Sequence, residues 1–277
     1  PMKRKPVTPA AASTARSASL APTGTQALER GVQILRELAT RPRVGWGLTE
    51  LALRCELDKA TTYRILTGLV RTRMATKHTS APRYLPGPLL FELGLAIVSH
   101  DQLRAAGRDV VGRVARRLGG ISALTLASGF DAVCCAHAGK VSTKALSFAV
   151  GDRRPLVMNS AGVSMLICLP AAEMHAASKY GLARSSHLGS YRVGMIRAMI
   201  DRSARLGYGL NQDYTVAGIT GVAVAILDIS GQPVASLSIS GTSAQFPENA
   251  IADLVSSLRH ESAALEQLVA TSSRFEI

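Results

Sequence analysis

Cysteine is scarce in the 277-residue sequence, and its spacing offers no site for a metal or a disulfide framework. No Cys-x-x-Cys pair occurs among Cys55, Cys134, Cys135 and Cys168, which argues against a finger-type zinc site and a small secreted disulfide scaffold. Cys134, Cys135 and His137 share one short predicted strand whose side chains alternate, so they cannot all converge on one ion. We therefore expect no metal, no other cofactor and a reducing, cytoplasmic compartment.

Long apolar runs and catalytic signatures are also missing. Gly, Ser or a charged residue interrupts every apolar stretch before the roughly 18 residues that a membrane-spanning helix needs. His260-Glu261 has no second His at the spacing of a zincin, and Gly162-Val-Ser164 lacks the final Gly of a nucleophile elbow. These absences argue against a membrane protein and against a hydrolase of either type.

Positive charge is what the sequence has in excess. There are 32 Lys and Arg against 19 Asp and Glu, a formal net charge of +13. Residues 1–102 hold 15 of the basic and 7 of the acidic side chains, so the excess is greatest near the start of the chain. Such an excess indicates a polyanionic partner or an acidic ligand. Since 47% of the residues are hydrophobic, the chain can bury two cores, and we expect two domains.

The first 24 residues are rich in Ala, Ser, Thr and Pro, with a basic Lys3-Arg4-Lys5 cluster and no acid. This composition cannot bury enough apolar surface to fold, so it predicts a disordered tail over residues 1–24. A transit peptide is the alternative. Pro6, Pro9 and Pro22 oppose it because they would interrupt an amphipathic helix.

From Thr25 onward, the spacing of apolar residues predicts three helices and a hairpin, which is the order of a winged helix-turn-helix domain over residues 25–87. Asp58 is a good N-cap residue for the third helix. Two short strands, 74–77 and 83–86, form the predicted wing. The predicted inward stripes are Leu28, Val32, Leu35, Leu38 and Ala39 in the first helix, Leu48, Leu51 and Ala52 in the second, and Thr62, Ile65, Leu66, Leu69 and Val70 in the third.

The exposed side of the third helix is basic and rich in hydrogen-bonding groups. If Thr62, Leu66 and Leu69 face the core, the opposite side is free to enter the major groove of duplex DNA. There Arg64 can donate to a guanine edge or to phosphate. The predicted DNA-binding residues are Lys59, Ala60, Thr61, Tyr63, Arg64 and Thr67 on the helix and Lys77 and Arg83 in the hairpin. The alternative is that this side of the helix is only a charged surface in contact with solvent. For any single residue of the set, that alternative stays open.

An apolar segment, residues 88–101, follows the wing directly and predicts a linker helix that joins two domains or pairs with another subunit. The remaining residues, 102–277, predict an α+β domain with a largely antiparallel sheet. Its predicted strands are 122–128, 132–138, 143–150, 222–228 and 234–240, and its predicted helices are 102–118, 160–169, 190–206 and 248–270.

The wing exit, Tyr84 to Gly94, has the sequence Tyr-Leu-Pro-Gly-Pro-Leu-Leu-Phe-Glu-Leu-Gly. It fits the pattern Tyr-x-Leu-Gly-x-x-Leu-x-x-Leu-Gly, with Pro86 at a Leu position. Together with the segments 28–39, 48–52, 57–66, 150–162, 206–209, 218–223 and 234–241, it resembles the IclR family of bacterial transcriptional regulators along nearly the whole chain after the tail. The chain departs from the family at Glu56, Ala60, Val157 and Ala225, which bears on its DNA sequence preference and its ligand.

The resemblance implies a GAF-like effector-binding domain over residues 102–277 that takes a small organic acid or an aromatic metabolite. It also implies a homodimer or a dimer of dimers on a palindromic operator. The effector-binding residues carried over by position are Ser160, Ala161, Gly162, Asn211, Asp213, Gly221, Ser238 and Ser240. Independently of the family, Ser238 and Ser240 lie two apart on a predicted strand and so point to one face. Ordinary strand serines bonded to neighbouring backbone are the alternative.

The leading interpretation is a ligand-responsive transcriptional regulator whose DNA affinity depends on a bound metabolite. A small-molecule enzyme with an accessory winged-helix domain is the alternative from another class, and it needs a titratable group in the second domain. A winged helix that contacts protein instead of DNA is a third hypothesis. It leaves Lys59, Arg64, Lys77 and Arg83 without a purpose.

Overall fold

The computed structural model of the protein describes residues 25–141, 149–185 and 188–271. The chain forms two compact units that divide between Gly87 and Pro88. The predicted tail 1–24 and most of the predicted strand 143–150 lie outside the described residues. Across the part of the chain that is described, no helix combines the length and the apolar character needed to cross a bilayer.

The first unit contains three helices and a small antiparallel sheet in the strand order β1-β3-β2. The three predicted helices and both predicted wing strands are present, and β1 is a short strand that the sequence pattern did not predict. Its Trp46 pairs with Tyr84 of β3, and both side chains enter the core with Ile34, Leu51 and Leu66. The elements are α1 (Gln26–Thr40), β1 (Trp46–Gly47), α2 (Leu48–Arg54), α3 (Lys59–Arg71), β2 (Ala75–Lys77) and β3 (Arg83–Pro86).

The predicted inward stripe of α1 is wrong at three positions, one of which is the exposed Ala39. Leu28 is 68% exposed and Val32 is 39% exposed, whereas Ile34 and Leu38 are fully buried. The helix packs on α3 and β3 with the side that carries Gly31, Ile34 and Leu38. Because α1 has two apolar lines, periodicity alone does not say which one the domain covers.

The second unit is built on a six-stranded antiparallel sheet in the order β6-β5-β4-β9-β8-β7. Two long helices, α5 and α9, pack on one face. On the other face α6 packs on β7, β8 and β9, beside α7 and α8. The elements are α4 (Pro88–Gly94), α5 (Val98–Leu118), β4 (Ile121–Ser128), β5 (Asp131–Gly139), β6 (Arg153–Pro155), α6 (Ser160–Leu166), α7 (Ala171–Arg184), α8 (Ser190–Leu206), β7 (Gly209–Gln212), β8 (Ile219–Leu227), β9 (Pro233–Thr242) and α9 (Ile251–Thr271).

The single linker helix predicted over 88–101 is wrong. The segment is divided, because α4 ends at Gly94 and α5 begins at Val98. Gly94 is the residue with the weakest helix propensity in the segment after Pro88, and tight turns follow it, with Ile97 N donating to Gly94 O. Helix α5 therefore begins before residue 102, where the sequence pattern placed it, and α4 buries none of its side chains.

Candidate functional site

Helix α3 begins at a well-formed N-cap. Asp58 Oδ1 accepts a hydrogen bond from Thr61 N at 2.8 Å, and this bond lowers the pKa of the Asp58 carboxyl. A carboxylate at this end also interacts favourably with the helix dipole. Thr62 and Leu66 are fully buried, so the helix is fixed in rotation about its own axis.

The opposite side of α3 presents the predicted DNA-binding side chains. Lys59, Ala60, Tyr63, Arg64 and Thr67 are exposed, and Thr61 is half-buried. Arg64 Nη2 donates to Thr61 Oγ1 at 3.3 Å, which holds the guanidinium along the helix. Thr67 Oγ1 donates to the backbone oxygen of Tyr63, so its proton is already used. Arg64, Lys59 and Tyr63 therefore have the longest free reach from this surface.

The two predicted hairpin cations differ from each other. Lys77 is exposed at the end of β2. Arg83 is engaged within the protein, because its Nη1 donates to Gly45 O at 2.9 Å and lies 3.4 Å from Glu50 Oε2. The structure thus does not support the free phosphate contact that the sequence predicted for Arg83.

A cluster around Glu50 is the part of this surface that the sequence pattern missed. The Glu50 carboxylate accepts a hydrogen bond from Gly47 N at 2.9 Å, and this bond, followed by Arg83 and Arg41, lowers its pKa. Arg41 stacks 3.7 Å above the Trp46 ring. The cluster ties the loop before α2 to the wing strand β3, so it fixes the wing relative to the helices.

Three of the predicted effector residues meet in the second unit, between α6 and the sheet. Gly221 of β8 pairs with Ser240 of β9 and Asn211 of β7. An ideal Cβ at Gly221 would lie 2.9 Å from Ser160 Oγ and 3.0 Å from Ser240 Oγ. Glycine is therefore needed here, because any side chain would displace one of the two hydroxyl groups.

The hydroxyl groups of Ser160 and Ser240 keep their capacity to bond to a further polar group. Both residues are more than nine-tenths buried, and no hydrogen bond to either hydroxyl is found in the described ranges. We call the group of Ser160, Gly221 and Ser240 the serine site.

The other predicted effector residues have structural partners. Ser238 Oγ donates to Ala123 O at 3.3 Å. Both ends of the Asn211 amide bond to Thr215. Asp213 has a positive φ of 63°, and its Oδ1 accepts from Gly218 N and Ser243 Oγ. Asn211 and Asp213 therefore shape the loop 213–218 beside the serine site.

The positions of Ala161 and Gly162 follow from the close packing of α6. Both are buried, and Gly162 N donates to Asn159 Oδ1 at 2.7 Å. An ideal Cβ on Gly162 would come within 2.2 Å of Leu156 O. Gly162 is thus a packing residue that lets α6 lie against the backbone of Leu156.

A buried serine pair next to the serine site was missed. Ser164 Oγ of α6 and Ser236 Oγ of β9 lie 2.8 Å apart. Ser236, Ser238 and Ser240 occupy every second position of β9 and so lie on one face of the strand. The alternation that predicts Ser238 and Ser240 therefore predicts Ser236 as well. This contact links α6 to strand β9 of the sheet.

The serine site offers hydroxyl groups but no charged side chain. The thiols elsewhere in this unit are not nucleophiles, because burial raises the pKa of Cys134 to about 11 and that of Cys135 to about 12. Within the described ranges no three His, Cys, Asp or Glu side chains gather as metal ligands. What the arrangement can do is donate hydrogen bonds to an oxygen-bearing molecule.

Comparisons with known proteins agree with both units. Two family models match: "Bacterial transcriptional regulator IclR C-terminal" over residues 95–267 and "IclR helix-turn-helix domain" over residues 27–78. The HTH-type transcriptional repressor AllR of Klebsiella pneumoniae is 27% identical over 219 residues, which cover 79% of this chain and 80% of that protein. AllR of Escherichia coli K12 is 25% identical over 227 residues, covering 82% and 83%.

Solved structures share the fold. An IclR family transcriptional regulator from Brucella abortus superposes with a TM-score of 0.69 at 21% identity, covering 91% of this chain and 96% of that one. An IclR homologue from Microbacterium hydrocarbonoxydans, complexed with 4-hydroxybenzoate, gives a TM-score of 0.66 at 21% identity, covering 88% and 98%.

Proposed function

Since this chain belongs to the IclR family of bacterial transcriptional regulators, we propose that it is a ligand-responsive regulator of transcription that reads a palindromic operator in duplex DNA. It does so as a homodimer or a dimer of dimers. Residues 25–87 bind DNA, and residues 102–277 bind the effector. The relatives named above are transcriptional repressors, which favours a regulator over an enzyme, and a regulator of this kind acts in the cytoplasm, where the chromosome lies.

The exposed basic side of α3 is the observation that carries the proposal. Its buried side is fixed by Thr62 and Leu66, so Lys59 and Arg64 project together from a rigid element. A helix of this diameter fits the major groove, where an Arg can donate two hydrogen bonds to guanine. Arg64 is held along the helix by Thr61, which lowers the entropy it loses on contact with a base.

The serine site supports a small oxygen-rich effector. Two free hydroxyls, on Ser160 and Ser240, converge where Gly221 leaves no side chain, and hydroxyls are good donors to a carboxylate or a phenolate. The homologue from Microbacterium hydrocarbonoxydans holds 4-hydroxybenzoate, a molecule with both groups. For this chain we propose the same broad class, a small organic acid or an aromatic metabolite.

DNA binding is tested by fluorescence anisotropy with duplexes selected from random sequence at several salt concentrations. We expect one enriched palindrome, bound with an affinity that falls steeply as salt rises, because phosphate contacts release counterions. Arg205→Ala, an exposed arginine of α8, is the matched control for Arg64→Ala. Absence of any enriched sequence, or equal effects of the two substitutions, contradicts the proposal.

Effector binding is tested by thermal shift with a panel of small carboxylates and hydroxybenzoates. A binding compound should raise the melting temperature of the wild type and fail to do so for Gly221→Ala, whose added methyl group lies on the two hydroxyls. Ser160→Ala and Ser240→Ala should each weaken binding, whereas the exposed Ser256→Ala should not. A compound that still binds Gly221→Ala as tightly occupies some other site.

A further inference from the structure

Helices α7 and α8 of the second unit border an open groove with a volume of about 590 Å³. The α7 residues that line it recur at helical spacing, on the side of the helix turned away from the buried Ala177 and Gly181. The groove is therefore separate from the core and from the serine site. We call it the α7–α8 groove and define it by His175, Lys179, Leu182 and Ala183 of α7 and Val193 and Arg197 of α8.

The α7–α8 groove has an apolar floor between two cationic rims. Leu182 and Val193 are half-buried, whereas Lys179 and Arg197 are exposed and come from different helices, so a positive charge stands on each side. Neither cation forms an ion pair with a carboxylate in the part of the chain that the structure describes. Apolar surface bordered by unpaired charge is a feature of interaction sites.

The size of the α7–α8 groove limits what can enter it. From His175 to Ala183 the lining side of α7 is about 12 Å long. A volume of about 590 Å³ over that length leaves a cross-section of about 50 Å². This space admits one row of side chains but not a whole helix, whose diameter is about 10 Å. An occupant therefore inserts a single apolar line, about two helical turns long, and keeps its backbone outside.

We infer that the α7–α8 groove binds an acidic amphipathic helix of a partner protein. The apolar residues of that helix, at steps of three and four, lie on Leu182 and Val193. Carboxylates on both sides of its apolar line meet Lys179 and Arg197. The bound helix excludes water from the groove, which strengthens both charge pairs. This partner goes beyond the proposed function, which assigns the chain only DNA, an effector and further copies of itself.

Three other occupants fit the α7–α8 groove less well. A second copy of this chain brings mainly like charge, because the net charge of the chain is +13. Duplex DNA matches the cations, but its phosphate backbone has no apolar row to fill the floor. A small organic anion leaves Lys179 and Arg197 exposed to water, which screens its charge pairs.

Peptide binding to the full chain tests the inference without DNA or effector. The probe is a fluorescently labelled helical peptide of about 14 residues, or four turns. It carries leucine at steps of three and four, with glutamate on both sides of the leucine line. One control peptide has the same composition in scrambled order, and another has lysine in place of every glutamate. By fluorescence anisotropy, the wild type should bind the probe at least tenfold more tightly than either control.

Substitutions in the groove separate its shape from its charge. Lys179→Glu and Arg197→Glu should each weaken binding of the acidic probe roughly tenfold, since a repulsive contact replaces an attractive one. The double variant should bind the lysine peptide more tightly than the wild type does. Arg116→Glu, the same change at an exposed arginine of α5 on the other face of the sheet, should have little effect. Ala183→Arg adds positive charge but fills the groove, so it should weaken binding. Circular dichroism checks that each variant is folded.

The inference is overturned if the scrambled peptide binds as tightly as the probe, if Arg116→Glu weakens binding as much as Arg197→Glu, or if Ala183→Arg tightens it. Displacement of the probe by micromolar benzoate would assign the groove to a small anion, and loss of duplex binding in Arg197→Glu would assign it to DNA. Either result also overturns the inference. The groove variants leave α3 and the serine site unchanged, so a chain that selects an operator but does not bind the probe contradicts this inference alone.

Discussion

The buried serine pair between α6 and β9 gives a prediction whose sign and size follow from hydrogen-bond direction. Ser164 Oγ donates to Ala161 O at 2.8 Å, so its single proton is used within α6. In the 2.8 Å contact between the two hydroxyls, Ser236 must therefore be the donor and Ser164 the acceptor. Both side chains are almost completely buried.

The two single substitutions should then differ in cost. Ser164→Ala removes the acceptor of the Ser236 proton and leaves that donor buried without a partner, which costs about 2–3 kcal/mol in unfolding free energy. Ser236→Ala leaves the Ser164 proton bonded to Ala161 and removes only one accepted bond, at about 1 kcal/mol. The double variant leaves no hydroxyl unpaired. Its loss of unfolding free energy should therefore be smaller, by about 1 kcal/mol, than the sum of the losses in the two single variants.

Urea denaturation of all four proteins, followed by far-ultraviolet circular dichroism, measures these differences. The chain has one tryptophan, Trp46, which lies in the first unit and whose fluorescence serves as an internal control that should not change. Equal costs for the two single substitutions, or strict additivity in the double variant, would refute the assigned direction of the bond.

Three further predictions concern single residues. Glu56, between α2 and α3, has a φ of 54°, a conformation that favours glycine. Glu56→Gly should therefore stabilise the first unit by about 0.5–1 kcal/mol, measured by urea denaturation with Trp46 fluorescence as the signal. A loss of stability would contradict this reasoning. The pKa of the Asp58 carboxyl is lowered from 3.8, so its contribution to stability is complete above pH 3.8 and is lost as the pH falls through the folded-state pKa. Asp58→Asn keeps a capping oxygen but cannot titrate, so it should make unfolding of the first unit, followed by Trp46 fluorescence, less sensitive to acid. An unchanged pH profile would show that the cap is not titrating. Ser122 Oγ is buried without a partner in the described chain, so Ser122→Ala should stabilise the second unit by about 1 kcal/mol in thermal denaturation, and destabilisation would reveal a partner for that hydroxyl.

Elements with a clear period and a clear cap could be predicted from the sequence. The bounds of α2 and α8 agree with the predicted ranges, and Asp58 caps α3 as predicted. Helix α7 was missed because its buried residues, Ala177 and Gly181, are small. An ideal Cβ on Gly181 would come within 2.5 Å of Val157, so this helix packs through close approach and shows no stripe of large apolar side chains.

Contacts made by side chains from distant segments were less predictable. The stripe of α1 failed because a helix with two apolar lines gives no sign of which one its own domain covers. The sequence predicts a DNA contact for Arg83 because the spacing of the hairpin does not show that Gly45 O and Glu50 bind the Arg83 guanidinium. All three residues of the serine site are among those that the resemblance implies, but strand alternation selects only Ser240, and only the fold shows that Ser160 and Gly221 lie next to it.

The measurement that tests the central claim most directly compares wild type and Arg64→Ala on the selected operator and on a scrambled duplex of equal length. If α3 reads bases in the major groove, the substitution should weaken operator binding by about 1–3 kcal/mol, roughly 5- to 150-fold, and affect the scrambled duplex far less. Equal binding of the operator by both proteins, at matched salt, would contradict the claim that this helix reads DNA.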